Sequence, residues 1–328
     1  HITMEPVGDP AFLMANDSPA KTTLRAVANL KKHLEAGTTF FRDLGGPHGV
    51  DLDLRDAVNE GIIEGPGFLA AGKVVTMTGG HGWFMGREAD GVDETRKAAR
   101  EQLKAGSDVI KIMATGGVMT KGVEPGSPQL SMEEMKSAVE EAHKAGKKTS
   151  THAQGTEGIK NAILAGIDSV EHGIFLDEET INLMVERGVY LVPTLVAPYF
   201  IVENGVEAGI PQFAVDKSEY VMKYHVESFA NAYKAGVKIA MGTDSGTPYN
   251  PHGSAPSEIK LMVQHGMGVM EALVASTRSS AELLGVDKDY GTIEVGKYAD
   301  FLVLDENPLE NLDTLFELNS VYKHGRKV

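Results

Sequence analysis

Four ionisable residues stand at one kind of place along this chain. His152, His172 and Asp244 each close a short β-rich segment, and Lys111 lies within another, between Ile110 and Ile112. Imidazole and carboxylate are ordinary zinc ligands, and a catalytic metal site keeps one position open for water. Lysine is the unusual member. An ammonium buried on a strand without a partner is costly, so a neutral or carbamylated amine acting as a ligand explains it better than a structural role. Singly, a strand-end histidine is more often a hydrogen-bonded core or surface residue. Asp244, within Gly242-Thr-Asp-Ser-Gly246, would serve as a turn former. All four at equivalent strand positions point to a metal centre. The chain has no cysteine, so thiolate sites, thiol nucleophiles and disulfides are excluded.

Such residues converge only if the segments carrying them are parallel and adjacent. A helical stretch closed by glycine and followed at once by an apolar, β-rich segment recurs at Gly37, Gly106, Gly146, Gly166, Gly188 and Gly236. Glycine just past a helix adopts φ > 0 without a Cβ penalty, and helices that hand over directly to strands imply parallel strands joined by crossovers. Ser131 with Glu134 reads as a capping box, followed by Met135, Val139 and Ala142 at helical spacing. The expected strands are 1–3, 38–43, 67–76, 108–113, 148–152, 169–172, 189–194 and 237–244, the number that closes a (β/α)8 barrel. An open doubly wound sheet would use similar units, but no glycine-rich nucleotide loop follows the first strand. In a barrel, reactive groups collect at the C-terminal strand ends, where all four residues fall.

Two further residues face that end. His81, in Gly79-Gly-His-Gly-Trp-Phe84, follows the third strand. Tyr199 follows the seventh and is expected either to donate to a developing oxyanion or to pack over its loop. Arg42-Asp43 ends the second strand and is expected to tie the barrel together. His48, His225 and His252 are expected on the solvent side or behind the site.

Residues 289–328 break the pattern with turns and short apolar strands, expected to belong to a small β-sandwich whose other strands precede His1; residues 1–288 form the barrel domain. The opening His1-Ile2-Thr3-Met4 shows neither an initiator methionine nor a signal peptide, as if the chain began inside an element. The cytoplasm is the expected compartment. A net charge of −15 opposes binding to nucleic acid, and no apolar run is long enough to span a membrane. A small-molecule substrate is therefore the expected partner, with room for a homo-oligomer.

Val109-Ile-Lys-Ile-Met-Ala-Thr-Gly-Gly117, Thr151-His-Ala-Gln154, Val170-Glu-His-Gly173, Gly242-Thr-Asp-Ser245 and the Gly291…Ala299-Asp300 stretch together resemble the amidohydrolase superfamily. The likeness covers nearly the whole chain and is strongest to the imidazolonepropionase-related, Xaa-Pro dipeptidase-like binuclear zinc peptidases. It implies two Zn²⁺ per chain bridged by carbamylated Lys111. His1, similar to the second histidine of a His-x-His motif, and Asp244 would serve one metal, and His152 and His172 the other. The first histidine of that motif would lie two residues upstream of His1. The resemblance also implies that His81 helps hold substrate. The expected activity is dipeptidase- or carboxypeptidase-like hydrolysis of a dipeptide or N-acyl amino acid. A metal-activated hydroxide would attack, with Asp244 moving its proton to the leaving amine. The alternatives are a single-metal deaminase or imidazolone-ring hydrolase, whose relatives generally lack the strand lysine, and a non-catalytic barrel scaffold, which would be expected to have lost ligands.

Overall fold

The computed structural model describes residues 1–328. Twelve strands alternate with helices: β1 Phe40–Asp43, β2 Gly67–Ala70, β3 Val74–Thr76, β4 Gly86–Glu88, β5 Val109–Met113, β6 Lys148–Ala153, β7 Ser169–His172, β8 Tyr190–Val192, β9 Lys238–Ile239, β10 Phe301–Val303, β11 Ser320–Lys323 and β12 Arg326–Lys327. The architecture is an α/β (β/α)8 barrel with a small antiparallel sheet, β10-β11-β12, at the C-terminus. A parallel ladder runs in the order β4-β3-β5-β6-β7-β8-β9, and β1 pairs in parallel with β2.

The glycine stops are where the sequence places them. Gly106, Gly166 and Gly188 are left-handed helix caps, at φ 95°, 96° and 66°. The capping box of Ser131 and Glu134 starts helix Met132–Lys144. Alternation then orients β5. Ile110 and Ile112 are fully buried and belong to the main core with Met135 and Ile163 of the outer helices. Lys111 between them therefore projects into the barrel interior.

Three expectations need correction. Residues 1–3 form a turn, closed by the Met4 amide donating to the His1 carbonyl, and join no ladder. The Ile2 amide instead donates to the Asp43 carboxylate at 2.7 Å, so a side chain takes the bond a neighbouring strand would take. The expected strand 67–76 is two strands, because Gly72 at φ 71° breaks it and its amide donates to buried Asp51. β2 continues to β1 and β3 to β5 across that break. The eighth stave is in register only at Lys238–Ile239 before turning inward to Asp244. β4, beside β3, has no counterpart among the expected strands. No helix is long and apolar enough to cross a membrane.

Candidate active site

One continuous cavity of about 620 Å³ is lined by His1, His81, Lys111, His152, His172 and Asp244, among others. Register explains part of this convergence. His152 pairs with Glu171 and Ala153 with His172 across β6 and β7, while Lys111 pairs with Ser150 across β5 and β6. The rings of His152 and His172 meet edge to face with centroids 4.7 Å apart, and His81 stacks on His152 at 4.0 Å. On the opposite wall His1 Nε2 lies 3.6 Å from Asp244 Oδ1. The donors thus stand as pairs; no three His, Asp or Glu side chains are drawn together at metal-ligand spacing.

Tyr199 is not brought to this cluster. It lies on helix Val196–Asn204, 38% exposed, with its hydroxyl donating to Glu203 one turn on. Its position on a helix rather than a loop turns it to the outer surface. His48 stands outside the cavity lining, and His252 is held by its bond to the Met4 carbonyl and by His33.

Hydrogen bonds decide where the ring protons sit. His1 Nδ1 is 2.7 Å from the Gly45 carbonyl, which can only accept, so Nδ1 carries the proton and Nε2 the lone pair. His152 Nε2 faces the Gly116 carbonyl at 3.4 Å, leaving the Nδ1 lone pair. The Thr194 hydroxyl donates to the Pro193 carbonyl, so at 2.6 Å it accepts from His172 Nδ1–H and leaves the lone pair on Nε2. Burial, with Lys111 and neighbouring histidines adding to it, holds His152 and His172 well below the usual imidazole range. Burial likewise lowers His81 to about 4. Neutral rings with free lone pairs are the form a metal needs.

Lys111 is 3% exposed and its side-chain amine engages in neither a hydrogen bond nor an ion pair. Burial lowers its amine to about 8, against the upward pull of Glu171 and Asp244 and with a further downward push from Arg42. Burial also raises Asp244 to about 6. Beneath them Glu171 accepts from Arg42 at 2.9 Å, Ser150 at 2.9 Å and Ser169 at 2.8 Å, a buried network that braces three staves. This is the tie expected of Arg42. Gly117 backs the rings: a Cβ there would stand 2.7 Å from His81 Cε1 and 2.9 Å from His152 Cε1.

The strand ends are strained. His172, Thr194 and Asp244 have φ of 75°, 53° and 52°, a left-handed conformation that costs roughly 1–3 kcal/mol for such residues. Groups beyond the strand ends hold them. His225 Nε2 donates to the His172 and Pro193 carbonyls, Asn250 donates to the Asp244 carbonyl, and Glu258 accepts the Leu195 and Val196 amides. Of these supports, only His225 stands out in the sequence as a residue behind the site. Glu258 carries no local signal, since its partners lie on another element, whereas Asn250 holds Asp244 from within the same loop.

A nitrogen and oxygen donor set with its lone pairs exposed fits a divalent cation, as does an unpartnered buried amine within the same cavity. The donors available are His1, His152, His172 and Asp244, with Lys111 among them.

A model described as the amidohydrolase family matches residues 1–328. The ochratoxinase of Aspergillus niger is 34% identical over 94% of this chain and 69% of its own length. A crystal structure of a Xaa-Pro dipeptidase with methionine bound in its active site superposes with a TM-score of 0.93, at 34% identity, over 100% of this chain and 84% of that one. A prolidase complexed with N-methylphosphonate-L-proline gives 0.92 at 30% identity, with the same coverage.

Proposed function

We propose that this chain, which belongs to the amidohydrolase family, hydrolyses the C–N bond of a dipeptide or N-acyl amino acid with two divalent cations, zinc in the first instance. Membership of the family together with prolidase and ochratoxinase relatives supports hydrolytic cleavage of an amide bond. The finer reading rests above all on Lys111, buried and without a partner in the cavity that holds the pairs His152 with His172 and His1 with Asp244. A lysine so placed is expensive unless its amine is neutral or carbamylated. A single-metal deaminase gives it no task, and a scaffold protein gives none to the other four.

Bound metals would lower the pKa of water and polarise the scissile carbonyl. Carbamylated Lys111 would hold them with the two pairs. The chain's own residues do the rest. Asp244, beside His1 at the cavity wall, accepts a proton from the nucleophile and returns it to the leaving nitrogen. His81, bonded to Thr120 through Nδ1, presents its other nitrogen to the substrate. The expected role of Tyr199 at the oxyanion is not carried forward, given its place on the outer surface.

The test is metal content by elemental analysis after zinc and bicarbonate are supplied, beside a screen of dipeptides and N-acyl amino acids. About two zinc per chain with turnover of that substrate class is expected. One zinc or none, or turnover confined to ring amidines, overturns this reading.

A further inference from the structure

Glu258 lies on helix Ala255–Gln264, outside the barrel, and is fully buried with no cationic partner. Its Oε1 accepts the Leu195 amide and its Oε2 the Val196 amide, both at 2.9 Å. These amides open helix Val196–Asn204, whose own N-cap, Leu195, has no side-chain acceptor. A serine or aspartate at that position would cap the helix locally without burying a carboxyl group from a distant part of the sequence. The remote carboxyl group does something a local cap would not. It ties the start of this helix to a second helix, and so holds the residue just before Leu195.

That residue is Thr194, β-branched and at φ 53°. Its hydroxyl spends its proton on the Pro193 carbonyl and accepts from His172 Nδ1 at 2.6 Å. His225 grips the same corner from the other side through the Pro193 and His172 carbonyls. We propose that Glu258 is a positioning residue for His172: by holding the Leu195 and Val196 amides it keeps Thr194 in the conformation that fixes which ring nitrogen of His172 is protonated. The Nε2 lone pair then faces the cavity before any ligand arrives. The purpose of that lone pair rests on the metal-dependent reading above, but the tautomer itself does not.

The deciding measurement is made on the metal-free protein. Long-range ¹H–¹⁵N spectra of protein labelled at histidine show which nitrogen bears the proton, with His172 assigned through His172→Asn. Wild type and Thr194→Ser should show a single Nδ1–H tautomer. Thr194→Val and Glu258→Gln, each folded by circular dichroism, should show a mixture. Zinc affinity should fall roughly 10–100-fold in those two variants and recover in Thr194→Ser, the range typical when a partner behind a metal ligand is lost. Where Glu258→Gln does not fold, Glu258→Met removes the buried carboxyl group, whose proton affinity burial already raises to about 8, and takes its place. A wild-type tautomer in a folded Glu258 variant overturns the proposal, and so does a wild-type tautomer in Thr194→Val whatever becomes of Glu258. Mixed tautomers confined to the Thr194→Val and Glu258 variants, with no zinc bound by wild type, would instead sink the metal reading and leave the relay standing, whereas a mixed tautomer in wild type overturns the relay.

Discussion

His1 and Asp244 stand side by side on one wall of the barrel mouth with Nε2 and Oδ1 3.6 Å apart, while the other nitrogen of His1 is engaged by the Gly45 carbonyl. Two groups that share no strand and lie at opposite ends of the barrel sequence are thus held side by side, with their lone pairs free. Such an arrangement suits a shared cation or a shared proton better than a structural ion pair, since at this separation no hydrogen bond is formed.

If Asp244 moves the proton, Asp244→Asn should keep the fold and lower kcat by about 10²–10⁴-fold, with KM far less affected. Steady-state kinetics on the best dipeptide would decide it. A raised KM with kcat intact would make Asp244 a substrate-binding residue.

The same side chain gives a pH signature in the metal-free protein. Burial raises its pKa from 3.8 to about 6. Between those values the folded chain keeps a proton that the unfolded chain has released, so this group's contribution to stability falls as pH rises. The difference in urea midpoint between wild type and Asp244→Asn should therefore change across this window and be flat above it. A difference that is constant from pH 4 to pH 7 would contradict the assignment.

Lys111→Ala should lose most activity and much of the bound zinc, and small carboxylic acids added to the buffer should restore part of both. The reasoning is that a free carboxylate can stand where the carbamate would. Full turnover and unchanged metal content in Lys111→Ala would show the lysine to be structural.

Gly117→Ala should destabilise the protein by about 1–3 kcal/mol, the usual range for overpacking. The added carbon would meet His81 and His152 within 2.9 Å, and those rings are stacked on each other and bonded beyond. Chemical denaturation measures this, and a change under half a kcal/mol would mean the rings are mobile.

Arg42→Met should cost about 3–5 kcal/mol, because it leaves Glu171 buried and ionised without its cation. Arg42 and Glu171 are 7% and 5% exposed. The double variant Arg42→Met with Glu171→Gln should recover much of the loss. Equal stability of the single and double variants would show that the pair is not coupled.

Local patterns carried a large part of this molecule. Glycine after each helix, the Ser131–Glu134 capping box and the apolar runs between them set the barrel, because caps and alternation are properties of a few neighbouring residues. The same alternation left Lys111 on one of two faces, and only the packing of Ile110 and Ile112 against the outer helices turned it inward. The turn at residues 1–3 and the break at Gly72 depend on the distant carboxylates of Asp43 and Asp51, which accept amides that would otherwise pair with a strand. Tyr199 lies on a helix that begins at Val196, whose first amide is accepted by Glu258, 62 residues away. That Lys111, His152, His172 and Asp244 line one cavity was foreshadowed by their type and spacing. Where each ring holds its proton, and what braces it, came from hydrogen bonds between elements that meet only when the barrel closes.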